Sequence, residues 1–88
     1  MFERTVIIKN TLGLHARPAA LFVKTAARFD CDVYVSRDDI RISGKSIMGI
    51  MMLAAEQGSE IIIETDGKDA EDCMEALTSL VTNDFEDD

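Results

Sequence analysis

The chain has 88 residues, of which 47% are hydrophobic and 30% are charged, and its formal net charge is -8. A chain of this length buries one modest core, so we expect a single domain over residues 1–88. The negative charge argues against nucleic acid and anionic membranes as partners, because both require a basic surface. The longest apolar stretch, Ile47 to Ala55, is far shorter than the roughly 20 residues of a membrane helix, and no signal peptide is evident. We therefore expect a soluble cytoplasmic protein that does not insert into membranes.

The first half of the chain predicts a strand and then a helix. Hydrophobic and polar residues alternate from Phe2 to Lys9, which is typical of a half-buried strand. Turn-forming residues follow at 10–13, and Ala16 to Ala27 has apolar residues at helical spacing. Pro18 lies in the first turn of this helix, where proline is tolerated.

The second half predicts a hairpin, a short helix, a strand and a final helix. The hairpin pairs Cys31 to Ser36 with Ile40 to Ser43, and Ser46 is placed to cap the short helix that follows. Glu60 to Thr65 contains three consecutive isoleucines and is predicted to be a well-buried strand inside the sheet. Asp69 is a suitable N-cap for a helix with Cys73, Met74, Leu77, Leu80 and Val81 on one face. We expect the acidic segment 83–88 to fray.

This order of elements (βαββαβα) favours an α+β fold in which helices cover one face of an antiparallel sheet. Such architectures support many functions, so the function must be argued from particular residues. The cysteines, Cys31 and Cys73, are far from the single histidine in sequence and lack the spacing of a zinc site. We interpret both as small buried apolar groups that the cytosol keeps reduced, and we expect no metal and no cofactor.

The single histidine, His15, lies where the first loop turns into the first helix. A helix N-terminus presents unpaired amides and the positive end of the helix dipole, which together bind phosphate. A neutral imidazole there can attack an activated phosphoryl group while the amides of Ala16 and Arg17 and the Arg17 guanidinium receive its oxygens. Gly13 is expected to let the loop bend close to a partner. The alternative is that the histidine only caps the helix and the arginine is only solvated.

Two motifs together resemble those of a known family. The segments Gly13-Leu14-His15-Ala16-Arg17-Pro18-Ala19 and Gly44-Lys45-Ser46-Ile47-Met48-Gly49 resemble the two motifs of the histidine-containing phosphocarrier protein HPr. The resemblance extends over the whole chain and implies an open-faced sandwich with a four-stranded antiparallel sheet covered by three helices.

The resemblance implies a carrier of phosphoryl groups rather than an enzyme with turnover. His15 would be phosphorylated on Nδ1 with Arg17 as its electrostatic partner. Phosphate would come from enzyme I of the phosphoenolpyruvate-dependent phosphotransferase system and pass to the A domains of sugar permeases. A nitrogen-branch paralogue, NPr, shares the histidine motif, so the sugar and nitrogen branches both remain open.

The resemblance also implies regulation at Ser46 by HPr kinase/phosphorylase, and in that case a catabolite-control transcription factor would be a further partner. A phosphate there would repel an acidic partner docking nearby. A mainly regulatory module, like the catabolite-repression homologue, is an alternative, although that homologue lacks the active histidine.

For docking we expect Ile47, Met48 and Met51 as a pliable apolar patch, with Lys24 and Lys45 steering acidic partners from the rim. Core packing of the apolar residues and simple solvation of the lysines are the competing interpretations. We expect a monomer with small, short-lived interfaces.

Overall fold

The computed structural model describes residues 1–85. Its elements in chain order are β1 (Phe2–Ile7), α1 (Ala16–Ala26), β2 (Asp32–Arg37), β3 (Ile40–Ser43), α2 (Ile47–Met52), β4 (Glu60–Asp66) and α3 (Ala70–Thr82). The predicted order is confirmed, and most boundaries agree within one or two residues. Among the helices of residues 1–85, none combines the length and apolar composition that crossing a membrane requires.

The four strands form one antiparallel sheet in the order β1-β4-β2-β3. Strand β4 pairs with both β1 and β2, so the prediction that it lies inside the sheet is confirmed. Its isoleucines alternate: Ile61 and Ile63 are fully buried, whereas Ile62 is 36% exposed on the other face. The prediction of a strand buried throughout is therefore wrong for Ile62, because the side chains of a strand alternate between faces and only one face of this sheet is covered.

All three helices bury one face against the covered side of the sheet. Both α1 and α3 contribute apolar residues to the core at helical spacing, as the sequence predicted, and Phe22 of α1 is among the largest fully buried side chains. The buried residues of these two helices are Pro18, Ala19, Phe22 and Ala26 in α1, and Ala70, Cys73, Met74, Leu77, Leu80 and Val81 in α3. The structure is thus an open-faced sandwich, with a four-stranded sheet under three helices.

The start of α3 differs from the prediction. Asp69 occupies the N-cap position, but its side chain makes no capping hydrogen bond. Its Oδ2 instead accepts a hydrogen bond from the Asp30 amide at 2.9 Å, and the Asp69 amide donates to the Asp30 carbonyl at 3.2 Å. The carboxylate therefore joins the loop after α1 to the beginning of α3, a contact between distant segments that local spacing does not reveal.

The C-terminal segment is the second difference. The chain turns after α3 with positive φ angles at Asp84 and Phe85, and the Phe85 amide donates to the Leu80 carbonyl at 2.9 Å. This turn returns the Phe85 ring to the core, where it is 1% exposed. The prediction of a frayed segment is therefore wrong at Phe85, because burying an aromatic ring outweighs the acidic character of its neighbours. Residues 86–88 lie outside the part of the chain that the structure describes.

Replacing Phe85 tests this burial. We expect Phe85→Ala to lower the free energy of unfolding by about 3 kcal/mol, since a large buried side chain is removed. The matched control is Phe2→Ala, because Phe2 is 43% exposed and should cost much less. Urea denaturation of both variants measures the difference. Equal losses for the two variants would contradict the buried position of the Phe85 ring.

Candidate functional site

His15 immediately precedes α1 and is exposed to solvent. Its backbone is extended, with φ -83° and ψ -169°, and its carbonyl accepts the first helical hydrogen bond from the Ala19 amide at 3.0 Å. The imidazole makes no capping hydrogen bond to the helix. The backbone of His15 thus begins the helix, while its ring is not used as a cap and faces water.

The loop before His15 is held in place by its own chain. Leu14 is buried, and its amide donates to the Ala55 carbonyl at 2.9 Å. The Asn10 side-chain amide donates to the Gly13 carbonyl at 2.7 Å. Gly13 has φ +69°, and any Cβ at this position would collide with the Ala55 carbonyl oxygen. Gly13 therefore permits a close internal contact, while its expected role in the approach of a partner stays a prediction.

The first turn of α1, which follows His15 directly, contains cationic and donor groups. Backbone amides at helix positions Ala16 and Arg17 have no carbonyl four residues earlier within the helix, and Pro18 has no N–H. The Arg17 side chain is exposed at the same end. The helix dipole adds partial positive charge there. The end of α1 that carries His15 therefore suits an anion with several oxygens.

A shallow concavity of about 310 Å³ opens beside His15. Its other walls come from the loop before the histidine and from α2 with the segment after it, and its lining residues are Leu12, Leu14, Met51, Ala54, Ala55 and Glu56. Of the three predicted docking residues on α2, Met51 lines this concavity together with His15. Ile47 and Met48 lie at the beginning of α2 and are 44% and 71% exposed. The apolar patch expected from the sequence is therefore at the surface and adjoins the histidine through Met51.

The two lysines predicted at the rim lie farther away. Lys24 is exposed in the last turn of α1, seven residues after Arg17 and hence on the same side of that helix. The Lys45 ammonium donates to the Phe29 carbonyl at 3.0 Å, beyond the C-terminal end of α1. A helix of 11 residues is about 16 Å long, so the structure does not bring Lys45 to the histidine.

Ser46 caps α2, as the sequence predicted. Its Oγ accepts a hydrogen bond from the Gly49 amide at 3.0 Å, and its carbonyl accepts one from the Ile50 amide at 3.0 Å. Gly49 is buried where α2 crosses β3, and a Cβ there would lie 3.2 Å from the Cβ of Ile42. The hydroxyl of Ser46 therefore lies at the start of the short helix that carries the exposed methionines.

Sequence reasoning missed the residues that end α2. Ala54 has φ +50°, a left-handed conformation that is costly for a residue with a Cβ. The Arg37 guanidinium supports this turn by donating to the Leu53 carbonyl at 3.1 Å. Neither residue type signals the turn, because alanine favours helices and the arginine reaches it from β2. Sequence reasoning also missed Leu12, Ala55 and Glu56, which line the concavity, because their residue types do not signal a site either.

Replacing Ala54 tests the strained turn beside the site. We expect Ala54→Gly to raise the free energy of unfolding by about 1 kcal/mol, because glycine adopts positive φ without a Cβ clash. The matched control is Ala20→Gly, an exposed position inside α1, which should lower stability by about 1 kcal/mol. Thermal denaturation gives the sign for each variant. Destabilisation by both substitutions would show that Ala54 is not held in the left-handed conformation.

The fold and the exposed histidine at the start of its first helix together define a small phosphocarrier domain. The family model described as "PTS HPr component phosphorylation site" matches residues 2–83. The chain therefore belongs to the HPr family of phosphocarrier proteins of the phosphotransferase system.

Individual relatives are similar to this protein in sequence and structure over nearly the whole chain. The HPr of Neisseria meningitidis serogroup A is 48% identical over 85 residues, which are 97% of this chain and 96% of that protein. The crystal structure of HPr from Thermoanaerobacter tengcongensis is 44% identical with a TM-score of 0.95, covering 100% of this chain and 99% of that chain. Crh of Bacillus subtilis, described as a swapped dimer, is 39% identical with a TM-score of 0.77, covering 96% and 97% of the two chains.

Proposed function

We propose that this protein carries a phosphoryl group on His15, accepting it from enzyme I and donating it to the A domains of sugar permeases. The exposure of the imidazole at the N-terminal end of α1 is the observation that supports this most directly. Membership of the HPr family supports the assignment to the phosphotransferase system.

The reaction requires a nucleophile and hydrogen-bond donors that bind the three oxygens of the transferred phosphoryl group. In our proposal Nδ1 of His15 attacks the phosphorus atom of the donor, so that a P–N bond forms while the bond to the donor breaks. The amides of Ala16 and Arg17 and the Arg17 guanidinium stabilise the charge on the transferred oxygens. The partner then attacks the same phosphorus atom and regenerates the imidazole. The protein is thus discharged by its partner and does not turn over by itself.

The docking surface in this proposal is the exposed part of α2 together with the concavity beside His15. Ile47, Met48 and Met51 present flexible apolar side chains that adapt to different partners. Arg17 and Lys24, on one side of α1, complement an acidic partner. We expect the interface with each partner to be small and short-lived, because a carrier must leave each partner quickly.

Regulation by phosphorylation of Ser46 forms part of the proposal. The serine oxygen already accepts a backbone hydrogen bond at the start of α2, and negative charge is favourable at that end of a helix. The fold would therefore tolerate the phosphate. The added charge would lie next to Ile47 and Met48 and would oppose the docking of an acidic partner.

Two further functions deserve a separate test. The similarity to Crh favours a regulatory module that binds a transcription factor after Ser46 phosphorylation, and the nitrogen branch is another assignment for the same histidine chemistry. We propose that the carrier is a monomer, as we expect from the sequence. Light scattering measures the mass of the protein in solution and so distinguishes a monomer from a swapped dimer like that described for Crh.

Replacing His15 and Arg17 tests the phosphoryl site. With enzyme I and labelled phosphoenolpyruvate, His15→Ala should show no acid-labile label, because the nucleophile is gone. Arg17→Ala should slow labelling by about 10²-fold, since one charged donor to the oxygens is lost. The control Lys24→Ala removes a charge from the same side of α1 and should have a much smaller effect. Persistent label on His15→Ala would contradict the proposal.

Replacing Ser46 tests the regulatory proposal. Ser46→Asp adds charge at the start of α2 and retains a good N-cap, so we expect folding to be preserved and labelling by enzyme I to slow at least about tenfold. Ser36→Asp is the matched control, because it adds the same charge on β2, where Ser36 pairs with Ile62 on the uncovered face of the sheet. Ser46→Ala should lose about 1 kcal/mol of stability without slowing the transfer. Equal rates for the two aspartate variants would contradict a local effect at Ser46.

A further inference from the structure

The two cysteines lie against each other at the opposite end of α1 from His15. Cys31 immediately precedes β2, and Cys73 lies in α3; both are free thiols. The Cys31 thiol is near enough to that of Cys73 to raise the pKa of Cys73. Cys73 belongs to the hydrophobic core, and Cys31 packs against it. Two residues that are distant in sequence are therefore side by side in the fold.

Backbone contacts on both sides hold this arrangement. The amide of Asp30 donates to Asp69 Oδ2 at 2.9 Å, and the amide of Cys73 donates to the Asp69 carbonyl at 2.9 Å. A Cβ at Gly67 would lie 3.1 Å from the Cα of Cys31, so the turn before α3 approaches that residue closely. The residue before Cys31 and the turn before Cys73 are thus bonded to each other. These contacts bring the segment that contains Cys31 and the first turn of α3, which contains Cys73, to the same end of the fold.

The two thiols differ in their access to solvent. Cys31 is half-buried, whereas Cys73 is fully buried. Burial raises the pKa of Cys73 to about 12, and its contact with the Cys31 thiol acts in the same direction, while Lys45 and Arg28 oppose the shift. Cys73 is therefore a protonated thiol at neutral pH. A reagent in solution reaches Cys31 first.

We propose that Cys31 and Cys73 form a reversible intramolecular disulfide when the protein meets a hydroperoxide. The sulfur of Cys31 attacks one peroxide oxygen; the S–O bond forms as the O–O bond breaks, and the thiol proton leaves with the other oxygen. The sulfur of Cys73 then attacks that of Cys31, and the S–S bond forms as the S–O bond breaks. The departing hydroxide takes the Cys73 proton. With hydrogen peroxide, two thiols are oxidised to one disulfide and the peroxide is reduced to two waters.

This modification site is separate from the proposed phosphoryl site. α1 lies between them, and its 11 residues extend about 16 Å. The disulfide would join the start of β2 to α3 and close a long loop of the chain. Since a crosslink of this kind removes freedom mainly from the unfolded chain, the oxidised protein should be the more stable form. The interpretation of the cysteines as buried apolar groups is confirmed for Cys73, whereas Cys31 is only half-buried, and the proposal adds a redox role to both.

Peroxide treatment of the reduced full-length protein tests the pair. We expect both thiols to be lost together, a peptide map to show Cys31 linked to Cys73 within one chain, and dithiothreitol to restore both thiols. The oxidised form should have a thermal midpoint at least about 5 °C higher than the reduced form. A product linked between two chains, or a protein that keeps both thiols, would overturn the proposal.

Two variants assign the order of the steps. In Cys73→Ser, Cys31 should stop at the sulfenic acid, which dimedone traps. In Cys31→Ser, Cys73 should stay reduced in the folded protein, because peroxide does not reach it. The second variant keeps the test decisive if the buried serine of the first prevents folding. Oxidation of Cys73 in folded Cys31→Ser would overturn the assignment of Cys31 as the thiol that reacts first.

Discussion

The hydrogen bond from the Leu14 amide to the Ala55 carbonyl is the contact on which the site depends. It joins the loop before α1 to the segment after α2, and it buries Leu14 immediately before His15. With one neighbour anchored in this way and the other inside the helix, the backbone of His15 is held between two fixed points. His15 is therefore exposed at the end of α1 where the unpaired amides of the first turn lie, which suits the phosphoryl transfer that we propose.

The short helix α2 and its N-cap contain both the proposed regulatory serine and the proposed docking residues. Ser46 stabilises its beginning through the hydrogen bond from Gly49, and the exposed residues Ile47 and Met48 follow directly. Gly49 lets the helix lie closely on β3, because any larger side chain would press on Ile42. A charge introduced at the cap would thus lie beside these exposed apolar residues. In our proposal it would act by electrostatic repulsion of an acidic partner.

The two ends of α1 have different chemistry. The N-terminal end carries the exposed side chains of His15 and Arg17, whereas the C-terminal end leads to the buried thiol of Cys73 through the loop that contains Cys31. The Asp30 and Asp69 backbone contacts hold that loop against α3. A domain this small has one core, so groups that need burial and groups that need solvent must be separated along the same elements.

The sequence by itself determined the order of the elements and the position of His15. Side-chain periodicity of two or 3.6 residues is local, and so are a histidine at a helix start and the cap at Ser46. Only the tertiary structure decided the return of Phe85 to the core, the left-handed turn at Ala54 and the contact of Cys31 with its partner thiol. Each of these depends on a group from a distant segment, whose approach is set by packing and not by any neighbouring residue.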